Sequence, residues 1–208
     1  MIPELLALPA GEALFDMDGT LTSNDIAESC LIRVDRLGHR NRVTDGMASV
    51  FGHYKQLPDY AEQCKFAAVA LGGLRYGQVE QMVDDAFVSG DNAPIHAVVQ
   101  LAHELGQKHR VWLLTASPEI LGEIVGKRLG LRRWFGIKLR QEGDLLLPET
   151  YGVISCDQGK VQAAWVMTGR RPVFAIGDSA HDLPLLRHAV VGRTCGKGYG
   201  VEFPGFPE

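Results

Sequence analysis

A chain of 208 residues, 46% hydrophobic and 22% charged, is long enough for one large domain or a core with a modest insertion, and it can bury a full core. Its formal net charge is −4 and it has no lysine or arginine run, which argues against nucleic acid as a partner. The four cysteines, Cys30, Cys64, Cys156 and Cys195, are scattered without a Cys-x-x-Cys pair, so neither a zinc site nor a disulfide framework is indicated. Reduced thiols in a cytoplasmic protein are the expectation. Glu4 and the lack of a basic region ahead of the apolar residues do not read as a secretory signal. No apolar run approaches the roughly 20 residues of a membrane span.

The first informative stretch is Ala13-Leu14-Phe15-Asp16-Met17-Asp18-Gly19-Thr20-Leu21-Thr22. A short apolar run ends in two carboxylates two residues apart, then a Gly-Thr turn. The run predicts a buried strand, and the carboxyl ends of strands in an open parallel sheet are where ligands bind. Two acids crowded there repel each other and need a cation, a shared proton or both. Asp and Gly are also common turn residues, so a helix-capping turn accounts for the stretch as well. An EF-hand calcium loop does not fit: counting from Asp16, Gly19 comes too early and position twelve is Ala27.

Beyond this turn the pattern is helical. Ser23 or Asn24 is expected to cap a helix with Asp25 and Glu28 in its first turn, ending near Gly38. Two more helices are expected near 43–56 and 59–72, divided by Leu57-Pro58. Val79, Met82, Val83, Ala86 and Phe87 recur at helical spacing up to Ser89-Gly90. Nothing between Thr22 and Gly90 alternates like a strand. The expectation is a compact all-helical block, residues 23–90, inserted after the first strand of a core made of 1–22 and 91–208.

From Asn92 helices and strands alternate. Pro94 is expected in the first turn of a helix through Leu105, closed by Gly106. Arg110–Thr115 predicts a second buried strand. Ser117-Pro118-Glu119 predicts a helix start, with Ser117 as cap and Pro118 at the first position, and the helix runs to Gly130. Phe135–Leu139 reads as a strand, turning at Gln141–Asp144 into Leu145–Leu147. A short helix follows from Gly159 to about Met167, then a strand Val173–Ile176 ending at Gly177-Asp178, a helix containing Leu183–Leu186, and a last strand Ala189–Val191. The alternation implies an α/β fold, a doubly wound, Rossmann-like parallel sheet with helices on both faces. The Gly- and Pro-rich tail from Gly196 is expected to be irregular.

The polar candidates fall at strand ends or helix starts: Asp16 and Asp18 after the first strand, Thr115 after the second, Asp178 after the fourth parallel-type strand with Asp182 one turn on, and Lys160 at a helix start. Singly, Lys160 reads as a solvated lysine, Thr115 as a hydroxyl bonded to local backbone, Asp178 and Asp182 as turn and cap residues, and His181 as a solvated turn residue. Jointly, a doubly wound sheet brings them to one edge. Four carboxylates, an ammonium and a hydroxyl there would suit Mg²⁺, a hard ion that favours oxygen ligands and often bridges to phosphate.

Asp16-Met17-Asp18-Gly19-Thr20, Leu113-Leu114-Thr115, Lys160 and Gly177-Asp178-Ser179-Ala180-His181-Asp182 resemble, in order, the four motifs of the haloacid dehalogenase superfamily. The helical block between the first two resembles that superfamily's C1 cap. Thr115-Ala116-Ser117-Pro118 and the Gly177–Leu183 stretch are similar to the phosphoserine phosphatase-like branch, subfamily IB. The resemblance implies a Mg²⁺-dependent phosphomonoester hydrolase. Asp16 would be the nucleophile that forms an aspartyl-phosphate. Asp18 would protonate the leaving alkoxide and then take a proton from the attacking water. Mg²⁺ would be held by the Asp16 carboxylate, the Asp18 main-chain carbonyl and Asp178. Thr115 and the Ala116 amide would hold a phosphoryl oxygen, Lys160 would neutralise charge on Asp16 and the transferring group, and Asp182 would orient Lys160 or a metal-bound water. Asp at the second acidic position of the first motif favours a phosphatase over a dehalogenase or an ATPase.

For the substrate, the resemblance places Asp25 where phosphoserine phosphatases hold the substrate ammonium. Their carboxylate-gripping arginine has no evident match on the helix reading Glu62-Gln63-Cys64-Lys65-Phe66-Ala67-Ala68-Val69, although Lys65 or Arg75 could substitute. The implied partner is a small-molecule phosphomonoester, phosphoserine-like or otherwise amine-bearing. A phosphotransferase passing the aspartyl-phosphate to another acceptor is an alternative, and a non-catalytic binding module on the same fold is a third. The intact Asp16, Asp18, Lys160 and Asp178 set argues against the third.

Overall fold

The run that opens the chain forms strand β1, Glu12–Phe15, and all four of its residues are buried. A strand buried on both faces belongs in the middle of a parallel sheet. The computed structural model describes residues 5 and 7–195, and in it β1 is central to a six-stranded sheet of order β4-β3-β2-β1-β5-β6. The others are β2 (Arg110–Pro118), β3 (Trp134–Glu142), β4 (Leu145–Tyr151), β5 (Phe174–Gly177) and β6 (Val191–Thr194). β1 pairs in parallel with β2 and β5, with Phe15 opposite both Leu113 and Ile176. That register brings Asp16, Thr115 and Asp178 to the same carboxyl edge. Among the described strands, only the β3–β4 pair is antiparallel.

Alternation along β1 divides the core into two layers. Ala13 and Phe15 face the larger cluster, where Phe15 packs on Phe174 with ring centroids 5.6 Å apart. Leu14 faces a smaller cluster with Leu114, Ala175 and Leu185. Helices α5 (His96–Leu105), α6 (Glu119–Arg128), α7 (Gln158–Thr168) and α8 (Leu183–His188) flank the sheet. Glu12, buried at the start of β1, accepts hydrogen bonds from Trp112 Nε1 at 2.9 Å, Arg110 Nε at 2.8 Å and Arg170 Nη2 at 2.9 Å. Burial alone would raise its pKa, but these donors outweigh it and hold the carboxyl below the usual range.

Between β1 and α5 lie helices α1 (Ile26–Arg36), α2 (Val50–Gln56), α3 (Tyr60–Ala70) and α4 (Tyr76–Val88). The chain leaves and returns side by side. The Ser23 N–H donates to the Ala93 carbonyl at 2.9 Å, and the Ile95 N–H to that of Leu21 at 2.9 Å. The far end of the helical block is also tied down. Gly73 and Tyr76 donate backbone N–H groups to the Leu146 and Asp144 carbonyls, each at 2.8 Å, and Leu146 donates to Leu74 at 2.9 Å. Residues 73–76 thus run as a short backbone ladder along β4.

Several boundaries differ from the sequence expectations. Asp25, not Ser23 or Asn24, caps α1 by accepting the Glu28 N–H at 2.9 Å. The helix expected over 43–56 is confined to Val50–Gln56, because the Asn41 side chain accepts the N–H groups of Val43 and Thr44 and offers the backbone a turn instead. Pro94 precedes α5 rather than entering it; it bridges Thr22, where its missing N–H is not needed. β2 runs past Thr115 to Pro118, so α6 starts at Glu119 without a side-chain cap. The last strand is Val191–Thr194 rather than 189–191. The tail expectation from Gly196 falls outside the described residues. No helix among the described residues is long and apolar enough to cross a membrane.

Candidate active site

The turn after β1 is closed by the Thr20, Leu21 and Thr22 N–H groups, all donating to the Met17 carbonyl, while the Met17 side chain is buried in the core. Asp16, continuing from β1, donates its N–H to Ile176 at 3.0 Å. Gly19 lies at φ +75°, and a Cβ there would come within 2.1 Å of Asp178 Oδ2. Only glycine lets the β1 turn and the β5 turn approach this closely. Thr20 Oγ1 donates to Asp178 Oδ1 at 3.3 Å.

Lys160, the third residue of α7, is only 2% exposed and is not the solvated lysine its composition suggests. Its Nζ donates to Asp16 Oδ1 at 2.5 Å and to Asp182 Oδ1. The second oxygen of Asp182 accepts the Ser179 N–H at 3.0 Å and hydroxyl at 2.8 Å. Both Asp182 oxygens are therefore engaged, and the residue fixes Lys160 against Asp16. Asp18 Oδ1 accepts the Ile26 N–H at 2.8 Å, and its Oδ2 accepts Ser117 Oγ at 2.8 Å with Thr115 Oγ1 at 3.4 Å. Thr115 is fully buried and also accepts the Ser117 N–H at 2.9 Å, while Ala116 and Ser117 line the cavity above it.

The charges are unbalanced. Burial raises the Asp16 pKa well above the usual range, the Asp182 charge adds to this, and Lys160 opposes it. Burial and the nearby Asp25 push Asp18 up to about 8, against the Ile26 and Ser117 hydrogen bonds. Burial and Glu28 raise Asp25 to about 6, and burial with Asp182 raises Asp178. For Lys160, burial favours the neutral amine, but Asp16 and Asp182 outweigh it and the pKa rises. For Asp182, Lys160 outweighs burial and the pKa falls. One ammonium does not neutralise this set. Carboxylate oxygens of Asp16, Asp178 and Asp182 lie within 4.8 Å of one another. Since Asp182 is engaged by Lys160 and Ser179, Asp16 and Asp178 are the acids left for a cation. An all-oxygen donor set short of positive charge fits Mg²⁺.

Above these groups lies a cavity of about 340 Å³. Core residues Asp16, Asp18, Lys160 and Asp178 line it from below, and Asn24, Asp25, Tyr54, Tyr60 and Cys64 from the helical block. The Tyr60 ring stacks on His181, whose Nδ1–H donates to Asp157 Oδ1 at 2.8 Å. Lys160 is the only lysine or arginine among the described residues that line the cavity. Arg75 instead pairs with Asp144 at 2.5 Å, and Lys65 is exposed. Neither takes the place of the missing arginine.

Residues 13–187 match the family model described as haloacid dehalogenase-like hydrolase. The chain belongs to this family. Among solved structures, a haloacid dehalogenase family hydrolase from Salmonella enterica serovar Typhi is similar at 20% identity and TM-score 0.65. The match covers 93% of this chain and 65% of that one, so this chain spans about two thirds of its length. A Bordetella pertussis protein of unknown function is similar at 17% identity and TM-score 0.70, covering 91% of this chain and 90% of that one. A phospho-aspartyl intermediate analogue of phosphoserine phosphatase is similar at 19% identity and TM-score 0.59, covering 91% and 87%. These likenesses concern the fold. No curated protein matches the chain in sequence.

Within this hydrolase fold, some residues at the site carried no clear signal in the sequence. Ser117 reads as a helix cap, yet its hydroxyl goes to Asp18. His181 reads as a solvated turn residue, yet it is stacked and lines the cavity. Tyr54 and Tyr60 lie in ordinary helical patterns, and nothing local marks the face that meets the core. Ser179 and Ser155 hold their neighbours: Ser155 Oγ donates to the Thr115 carbonyl at 2.6 Å.

Proposed function

We propose that this hydrolase is a Mg²⁺-dependent phosphomonoesterase acting through an aspartyl-phosphate on a small, amine-bearing phosphorylated metabolite in the cytoplasm. The observation that carries the reading is the buried Lys160 bridging Asp16 and Asp182 on the floor of a cavity whose next acid is Asp18. The phosphoserine phosphatases among the structural neighbours, one described as a phospho-aspartyl intermediate analogue, support it by fold.

In this reading a carboxylate oxygen of Asp16 attacks phosphorus and the ester P–O bond breaks. Asp18 gives its proton to the departing alkoxide, which leaves as the alcohol. Asp18 then takes a proton from water, the resulting hydroxide attacks phosphorus, and the acyl P–O bond breaks to return Asp16 as a carboxylate. Lys160 stays cationic throughout and offsets charge on Asp16 and the transferring group. Thr115, fully buried beneath the cavity with its Oγ1 accepting the Ser117 N–H at 2.9 Å, would hold a phosphoryl oxygen together with the Ala116 amide. Bound between Asp16, the Asp18 carbonyl and Asp178, Mg²⁺ would lower the repulsion between an anionic nucleophile and an anionic phosphate. Asp182 orients Lys160.

Residues 23–90 form the cap domain in this reading, and 1–22 with 91–208 the core. The cap supplies Asp25, which holds an ammonium group of the substrate. A substrate carboxylate meets no lysine or arginine besides Lys160 among the described lining residues. The favoured substrate is therefore an amino-alcohol phosphate rather than phosphoserine. The test is a phosphomonoester panel with Mg²⁺, reading released phosphate and, with alcohols added, any phosphoryl transfer to them. Phosphoethanolamine should exceed phosphoserine, and Asp16→Asn should neither turn over nor bind beryllium fluoride as an acyl-phosphate mimic. Turnover by Asp16→Asn would overturn the mechanism.

A further inference from the structure

We propose that Ser117 is a positioning residue that holds Asp18 for its proton transfers, an inference that rests on the phosphatase reading above. β2 does not stop at Thr115. Its pairing with β3 shifts after Leu114 and resumes at Pro118, opposite Ile137. Gly136 makes room for this extension, since a Cβ there would stand 2.7 Å from the Ser117 carbonyl oxygen. Ser117, only 7% exposed, is held where its Oγ donates to Asp18 Oδ2 at 2.8 Å. Thr115 reaches the same oxygen only at 3.4 Å. Of the two hydroxyls, that of Ser117 makes the closer contact with the acid and lines the cavity, whereas Thr115 is fully buried beneath it.

The two oxygens of Asp18 are not equivalent. Oδ1 accepts the Ile26 N–H at 2.8 Å. A backbone N–H only donates, so a proton on Oδ1 would compete with that bond. A hydroxyl can donate or, by rotating, accept. Ser117 donates to Oδ2 while Asp18 is ionised and accepts from Oδ2 once it is protonated, until the leaving oxygen takes that proton. The acid proton belongs on Oδ2, and the carboxyl keeps one orientation through both half-reactions. Ser117 touches Asp18, not the reacting phosphorus, so its loss should weigh on the step that needs a proton.

The test uses Ser117→Ala and Ser117→Thr with Mg²⁺ and two substrates, an alkyl phosphate (phosphoethanolamine) and p-nitrophenyl phosphate, whose leaving group scarcely needs a proton. Positioned acid–base groups contribute about 10²–10⁴-fold, and losing one holding bond should remove part of that. Ser117→Ala should lower kcat about 10- to 100-fold on the alkyl phosphate and less than about threefold on p-nitrophenyl phosphate, with Ser117→Thr restoring most of the loss. Equal losses on both substrates, or a raised KM with unchanged kcat, would assign Ser117 to general structure or to phosphate binding and overturn the proposal. Crystal structures of the variants need no turnover: in Ser117→Ala the Asp18 carboxyl should keep its bond to Ile26 and swing Oδ2 away, and an unmoved carboxyl would also overturn it. Wild-type protein that hydrolyses neither substrate counts against the phosphatase reading, and the crystal structures then decide on Ser117.

Discussion

The Tyr60 ring lies on the His181 imidazole with centroids 3.6 Å apart and planes 16° from parallel. Tyr60 begins α3 in the helical block, and His181 follows β5 in the core, so the stack closes one side of the cavity from both halves. Stacked pairs contribute about 0.5–1.5 kcal/mol beyond area burial. Tyr60→Ala should raise KM by roughly two- to tenfold on the best substrate, while Tyr60→Phe keeps the stack and stays near wild type. Identical KM values for wild type and Tyr60→Ala in steady-state kinetics would show that the stack does not shape the bound state.

Asp178 and Asp182 sit four residues apart but should respond differently to metal. Chelation should abolish phosphate release and added Mg²⁺ restore it. Asp178→Asn should raise the half-saturating Mg²⁺ concentration at least about tenfold, as expected for losing a ligand. Asp182→Asn should leave that concentration near wild type and lower kcat instead, because Asp182 acts on Lys160. Full turnover in excess chelator contradicts the metal assignment, and a reversed pattern between the variants contradicts the division of roles.

Lys160 is held from two sides by Asp16 and Asp182, and the proposed mechanism uses it as a preorganised charge donor. Removing one such donor typically costs about 10²–10³ in kcat. Lys160→Ala should lose at least roughly that much while circular dichroism and the unfolding transition show a folded protein. A loss below about fivefold would return Lys160 to the role of a structural ion pair.

Glu12 supplies a pH signature at the opposite end of β1. Its pKa is lower folded than unfolded, so its contribution to stability is present above the unfolded value and is lost as pH falls through the folded one. Both arginine partners are about half exposed, which limits the effect. Glu12→Gln should destabilise by about 1–2 kcal/mol at pH 7 in urea unfolding, and the gap should narrow below about pH 4. A gap of the same size at both pH values would locate the effect in packing.

The α/β class, the helical insertion and the converging strand ends were legible because period, turn residues and strand-end acids are local signals. Lys160 was legible only jointly with the other motifs, since no local rule distinguishes a lysine aimed at two buried carboxylates from a solvated one. Ser117 departs from its expected role as a helix cap for a physical reason. Ser-Pro-Glu is a good helix start, but a carboxylate acceptor at 2.8 Å and a strand that continues to Pro118 overrode local preference. The first half of the helix expected near 43–56 gives way for a similar reason, because the Asn41 side chain holds a turn there instead. Tyr60 and His181 meet only through the tertiary fold, and sequence separation hides such pairs.

The ladder between residues 73–76 and β4 bears on what happens if the helical block is cut away. A shortened chain lacking 23–90 would lose the partners of Asp144 and Leu146 and leave that flank of β4 with unpaired N–H and C=O groups. An uncovered strand edge invites pairing with another chain. The excised core should therefore be prone to edge-to-edge association, so that the block guards solubility as well as covering the cavity.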